Sequence, residues 1–376
     1  MKNSTRKVLA SLLSILVGLT VGAVVVLLVG LSNERITLSG VWDGVRLIFI
    51  GILSTGRDSV GQLTWGFNPS SIGNMLFRAT PLIMTGLSVA LAFKTGLFNI
   101  GAPGQYLMGT LATLYVALGI PAGTLPGWLL WLLALLAGML AGAIWGAIPA
   151  FFKAKFNTNE TLFTLMMNYV AMQIVAYYSV VWENPKGSGN IGVINSRTMV
   201  GWFPQVGGSK YLLNIIIVAA LTVAMYVYLK YSKQGYEISV VGESERTARY
   251  IGIKVDRVII RTMIISGAIC GIAGLLLVGG TNHTLNADIV SGRGFTAVMV
   301  AWLAKFNPIW MIFTSFLLVF LGRGAGEIAT DFGLNQAFGD ILTGIILFFI
   351  IGCEFFINYK LSFRRSAKKE EDKANV

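Results

Sequence analysis

Between Lys94 and Lys153 the chain runs for 58 residues without a charged side chain. Soluble domains carry roughly a quarter charged residues. About 20 apolar residues are enough for a helix to cross the ~30 Å hydrocarbon core of a bilayer. A stretch of 58 residues is too long for one crossing and reads as two. The rest of the chain repeats the pattern, with uncharged runs at 8–31, 161–182, 211–229 and 262–287. Only 12% of the residues are charged and 55% are hydrophobic, and the mean hydropathy is +0.71.

These runs predict an all-α, polytopic transmembrane helical bundle. Spans are expected near 8–31, 72–93, 97–119, 127–152, 161–182, 211–230, 262–281, 294–322 and 334–357. The eighth is irregular. Residues 294–304 are apolar over 11 positions, then Lys305, Phe306, Asn307 and Pro308 intervene before a second apolar run. A stretch that short cannot cross alone, so it predicts a half-helix or re-entrant segment followed by a full helix, giving nine or ten spans.

The net charge of +12 would suggest a nucleic-acid partner in a soluble protein. No basic stripe interleaved with aromatics lies outside the apolar runs, so nucleic acid is not expected. With the N-terminus in the cytoplasm, 20 of the 29 basic residues fall on the inside. This matches the positive-inside rule and predicts that both termini are cytoplasmic. Residues 1–7 are basic and precede an apolar run longer than a secretory signal, so that run reads as an uncleaved first span. Residues 1–360 form the membrane domain; 361–376 form a mixed-charge tail, solvated and disordered, that could touch anionic lipid. Segments 32–71 and 183–210 are Gly-rich and external, with a short surface helix possible near 47–53.

The chain has no Gly-Lys dipeptide and hence no Walker A motif. His283 is the one histidine, and Cys270 and Cys353 sit in apolar runs, so neither metal spacing nor a disulfide framework is expected. Glycines recur four apart at 138, 142 and 146 and at 267 and 271. Small residues on one face allow close helix contact.

Three features interrupt this pattern. Residues 94–105 bring three glycines, Pro103, Asn99 and Gln105 to the predicted cytoplasmic edge. Broken helix at membrane depth occurs inside protein or beside a water-filled cavity and often marks a transport pathway, although a tight loop fits the spacing equally well. The loop 230–261 holds seven basic and four acidic residues. Its 242–252 stretch could form a short amphipathic helix with Ala248 and Gly252 on one exposed face, suited to docking on a partner; a solvated linker is the plainer reading. Asn157, Asn159, Glu160, Asn168 and Gln173 cluster around the fifth span, where polar groups face the bundle interior. Interhelical hydrogen bonding explains them as well as solute contact does.

At these segments the sequence resembles the permeases of ABC importers in the ribose/branched-chain amino-acid class. FNIGAPGQYLM (98–108), FNTNETLFTLMMNY (156–169), GESERTARYIGIKV (242–255) and GRGFTA (292–297) occur in the order of its nucleoside and simple-sugar subgroup. Pro103 departs from the acidic residue expected there. The resemblance implies a permease subunit of an ATP-driven importer for nucleosides or related sugar-containing solutes, in a bacterial plasma membrane. It is not an enzyme and has no cofactor, ATP being used by its partners. Those partners would be a cytoplasmic ABC ATPase, a second permease and a substrate-binding lipoprotein or periplasmic protein. Phe98, Asn99, Gln105, Asn168 and Gln173 are candidates for the pathway; Glu243, Arg246, Ala248, Arg249 and Gly252 are candidates for ATPase coupling. A sugar or branched-chain amino-acid permease, or an ion-coupled secondary transporter, are the alternatives.

Overall fold

The computed structural model of the chain describes residues 69–331, except 122, 209–210, 281 and 287–292, together with isolated positions between 335 and 352. The expected first span, the possible helix near 47–53, most of the last span, the charged tail and the orientation of the termini lie outside the described residues. The chain divides into two compact units, residues 68–320 and residues 1–67 with 321–376. All of the candidate site falls in the first.

Among the described residues ten helices follow in order: α1 (Pro69–Lys94), α2 (Ala102–Gly119), α3 (Gly127–Phe156), α4 (Glu160–Val181), α5 (Leu212–Tyr231), α6 (Lys233–Glu243), α7 (Glu245–Tyr250), α8 (Val255–Gly280), α9 (Arg293–Leu303) and α10 (Pro308–Asp331). Six of them, α1, α3, α4, α5, α8 and α10, are long and apolar enough to cross a membrane. Burial separates them into two kinds. The most apolar windows of α1 and α8 are 78% and 83% buried inside the protein, whereas those of α3, α4 and α5 are 22–28% buried. The central pair therefore packs on all sides. The outer helices present large apolar side chains outward, such as Leu132, Leu136, Leu140 and Ile144 on α3. Such faces are at home in lipid, which is as apolar as they are.

The glycines four residues apart join helices within the chain. A Cβ placed on Gly271 of α8 would overlap the Gly138 carbonyl of α3 and lie 3.0 Å from the Cα of Met139. Gly267 and Gly142 oppose each other in the same way, and Gly109 of α2 abuts Gly271. Because lipid removes the hydrophobic drive between helices, contact at this distance supplies the association through dispersion.

Three boundaries differ from those read in the sequence. The third span begins at Ala102 instead of 97, because residues 95–101 are non-helical. The seventh begins at Val255, seven residues before the charge-free run, since Asp256, Arg257 and Arg261 are accommodated in its first two turns. The loop 230–261 is mostly helix, with α6 and α7 each started by a serine side chain. Ser232 accepts from the Gly235 amide and Ser244 from the Thr247 amide. The expected half-helix is present as α9. It ends at Lys305 and Phe306, both at positive φ, where the Phe306 amide donates to the Ala301 carbonyl and the Lys305 amide to Trp302. This is a Schellman cap made without glycine.

Candidate functional site

The site is the break between α1 and α2. α1 stops in a Schellman cap: Gly96 sits at φ +82°, its amide donates to Phe93 and the Leu97 amide donates to Ala92. Two three-residue turns follow, Asn99 to Leu97 and Ile100 to Phe98, before Pro103 opens α2 near its first position. A seven-residue break leaves several backbone groups without helical partners, and side chains from other helices supply them.

Asn168, on the inner face of α4, takes two of these. Its Oδ1 accepts from the Gly104 amide at 2.9 Å and its Nδ2 donates to the Ile100 carbonyl at 2.9 Å. Asn99 is fully buried, with Oδ1 accepting from the Gly101 amide and Nδ2 donating to Ser266 Oγ of α8. Ser266 in turn meets Ser88 Oγ of α1 at 2.7 Å, and Thr95 meets Thr262 at 3.5 Å. A buried polar ladder thus ties the break to both central helices. Its members on α8, Thr262 and Ser266, are four apart and share a face. That spacing was visible in the sequence but not singled out there.

Gln105 lies in the first turn of α2 and is buried, yet its Oε1 has no hydrogen-bond partner. The indole N–H of Trp145 on α3 is also buried without a partner, beside Gly104. Each such group costs about 1–3 kcal/mol, so this conformation holds two polar groups short of partners next to the break. The neighbouring cavity, lined by Leu97, Asn99, Pro149, Ala150, Lys153, Glu160, Ile259 and Met263, has a volume of about 10 Å³. That falls below the ~300 Å³ at which small-molecule sites begin. The Lys153–Glu160 ion pair, 3.0 Å, stands in its wall and links the end of α3 to the start of α4.

The remaining sequence candidates are distributed differently. Phe98 is 52% exposed and packs edge-on against Phe93, which also meets Trp302 and Phe306. Gln173 is exposed on the outer side of α4, away from the break. Glu243, Arg246 and Arg249 are exposed at the end of α6 and on α7. Ala248 is fully buried, contrary to the exposed small-residue face read from the sequence. Gly252 lies past the end of α7 at φ +87°, where it forms that helix's Schellman cap with Ile253 donating to Ala248. The exposed surface of this element consists instead of charged residues with Tyr250, 92% exposed, and Ile251. Pro103, which departs from the resembled motif, fills the space in front of Gly294 in α9; a Cβ there would overlap the proline ring.

Residues 183–208 gather around His283. The imidazole stacks on Trp202 at 3.7 Å with Nδ1 2.8 Å from the Val278 carbonyl, and the His283 carbonyl accepts from Ile194. Glu183 accepts from the amides of Gly187 and Gly189. These two bonds, the Gly187 one foremost, hold its carboxyl below the usual carboxylate range.

Comparison with known proteins places this arrangement in context. The family described as branched-chain amino acid transport system / permease component matches residues 71–351. The guanosine ABC transporter permease protein NupP of Bacillus subtilis is 30% identical over 91% of this chain and 92% of its own length. The nucleoside ABC transporter permease protein NupB of Lactococcus lactis is 29% identical over 99% and 98%. The glucose ABC transporter permease protein TsgB13 of Haloferax volcanii is 29% identical over 76% and 77%.

Proposed function

We propose, because this chain belongs to the branched-chain amino acid transport system / permease component family, that it is the permease subunit of an ATP-driven importer for nucleosides. The family is one of transporter permeases, not enzymes. With six apolar helices long enough to cross among the described residues, the chain is a multi-pass plasma-membrane protein. The observation that carries the substrate is near-full-length similarity to permeases named for guanosine and for nucleosides. The glucose permease among the relatives keeps a related sugar as the second reading.

ATP hydrolysis belongs to a partner in this reading. The surface of α7 and the end of α6 suits a docked cytoplasmic ATPase: Glu243, Arg246 and Arg249 provide charge, and Tyr250 and Ile251 provide exposed apolar anchors. Exposed aromatics of this kind commonly carry binding energy at interfaces. A second permease subunit and an external substrate-binding lipoprotein or periplasmic protein complete the assembly. Phe98, Asn99, Gln105 and Asn168 belong to the solute path. The hydrogen bonds of Asn99 and Asn168 and the small cavity fit a state in which the path is shut at this level. Gln173, on the outer side of α4, reaches a solute only across the seam with the second permease. Alternating access requires that ATP and solute each favour one of two states.

The test is uptake of radiolabelled guanosine and glucose into cells or proteoliposomes carrying the full assembly, with and without the ATPase. Guanosine uptake that needs the ATPase and resists excess glucose is expected. Uptake that persists without the ATPase and collapses with the proton gradient overturns the reading in favour of secondary transport. Glucose uptake that excludes guanosine moves the assignment to sugar.

A further inference from the structure

We infer that the backbone contact between Gly242 and the end of α1 is the joint through which a docked ATPase moves the break, with Gly242 as a positioning residue for transport. This rests on the docking reading above and adds a specific route to it.

Gly242 is the penultimate residue of α6, two residues ahead of the Ser244 cap that starts α7. One side of it is open, but the direction a side chain would take is filled. A Cβ there would overlap the Lys94 carbonyl oxygen and lie 3.0 Å from the Lys94 carbonyl carbon and 3.4 Å from that of Thr95. From the other side, a Cβ on Gly96 would come within 3.7 Å of the Gly242 Cα. The contact is backbone against backbone, with no flexible side chain between to absorb a displacement.

Both sides of this joint are held. α6 is fixed at its start, where Gly235 packs on the Leu229 and Tyr228 carbonyls, and along its length by the Glu237–Arg261 ion pair of 2.9 Å to α8. It therefore behaves as a short lever whose free end is Gly242 beside the docking surface. On the far side, Lys94 and Thr95 lead directly into the break. Thr95 is bonded to Leu91 and Thr262, Asn99 to Ser266, and Asn168 clamps Ile100 and Gly104. A shift of Lys94 must therefore strain or exchange these bonds. Gln105 Oε1 and Trp145 Nε1, unpartnered here, are the groups that gain from a rearrangement. The route therefore runs through packed backbone and named hydrogen bonds rather than mere proximity.

The experiment uses the complete complex with its ATPase. Three quantities are measured for the wild type and Gly242→Ala: ATPase co-purification, ATP-driven uptake, and hydrogen exchange at amides 97–105 with and without nucleotide. In the wild type, nucleotide should change exchange across 97–105. Gly242→Ala should retain the ATPase and its hydrolysis, lose uptake about tenfold, as ordinary coupling energies permit, and lose the nucleotide response at 97–105. A merely structural glycine would lower protein yield while leaving that response intact in the complexes that assemble. Wild-type uptake in Gly242→Ala, or wild-type exchange at 97–105 that ignores nucleotide, overturns the inference. The second measurement decides even if the variant fails to assemble. Failure of the docking reading shows separately, as a Tyr250→Ala variant that keeps its ATPase in full.

Discussion

α2 meets its neighbours in two ways. Along its middle, Gly109 touches Gly271 of α8, while Gly138 and Gly142 of α3 press on Gly271 and Gly267. At its start, Gly104 is held by an Asn168 side chain and Gln105 is left with an unpartnered oxygen. The glycine seam is mainly backbone against backbone, with the Thr113 hydroxyl beside Gly138 bonded to the Gly109 and Ala134 carbonyls, and it has only one good packing. The break is joined by amides and hydroxyls that can exchange partners at modest cost. A transporter needs both: a fixed frame, and beside it a segment whose two arrangements differ by little.

The sharpest way to break the comparison is to load the seam. Gly271→Leu cannot be relieved by rotating a neighbour, since the obstacles are the Gly138 carbonyl and the Met139 Cα. Overpacking of this kind costs about 3 kcal/mol or more. The expected outcome is loss of monodisperse protein after detergent extraction, or a large fall in its melting temperature. Gly119→Ala, at the end of α2 with open space around it, should melt like the wild type. If both variants behave alike, the seam does not differ from an ordinary helix surface.

How much of this was legible in the sequence follows the same division. Uncharged runs located the crossings because the bilayer imposes one length and one polarity on every helix. The half-helix α9 was legible for the same reason: 11 apolar residues cannot cross. The glycine spacing pointed to close packing, but which helices it joined depended on tertiary contact. The break was legible as Gly, Pro and Asn in an apolar region. That Asn168 reaches Ile100 and Gly104 was not, because 68 and 64 residues separate the partners. Ala248 shows the opposite failure. A small residue on a charged helix reads as an exposed notch, yet the side chain is the packed face of α7. The exposed apolar residues here are Tyr250 and Ile251, groups that a periodicity reading assigns to the core.

At the break the effects are intermediate and point in different directions. Asn168→Leu strands the Gly104 amide and the Ile100 carbonyl, so a loss of roughly 2–4 kcal/mol in stability is expected. Gln105→Met removes a buried acceptor that has no partner here, so it should leave stability unchanged or raise it by about 1 kcal/mol. Its uptake should nevertheless fall, because the group it removes acts in another state. Melting temperature and uptake kinetics measured on both variants separate the two roles. A Gln105→Met protein that is destabilised and transports normally would make Gln105 part of the frame and erase the distinction drawn above.

The smallest effect lies just past the end of α4, at Glu183. Its carboxylate is exposed, so no large contribution to global stability is expected; its two backbone bonds organise only the turn at 187–189. Those bonds lower its folded pKa, with the Gly187 bond the larger cause. A depressed carboxyl stabilises its turn above the unfolded pKa, and that contribution is lost as pH falls through the folded value. Protection factors of the Gly187 and Gly189 amides should therefore hold at neutral pH and drop below the ordinary carboxylate range. In Glu183→Gln, protection should be lower at neutral pH and flat across the same window. Glu183→Gln should not alter the melting of the seam or the nucleotide response of the break. Protection that is pH-independent in the wild type would mean that the Asn184–Asn190 backbone bond holds the turn by itself.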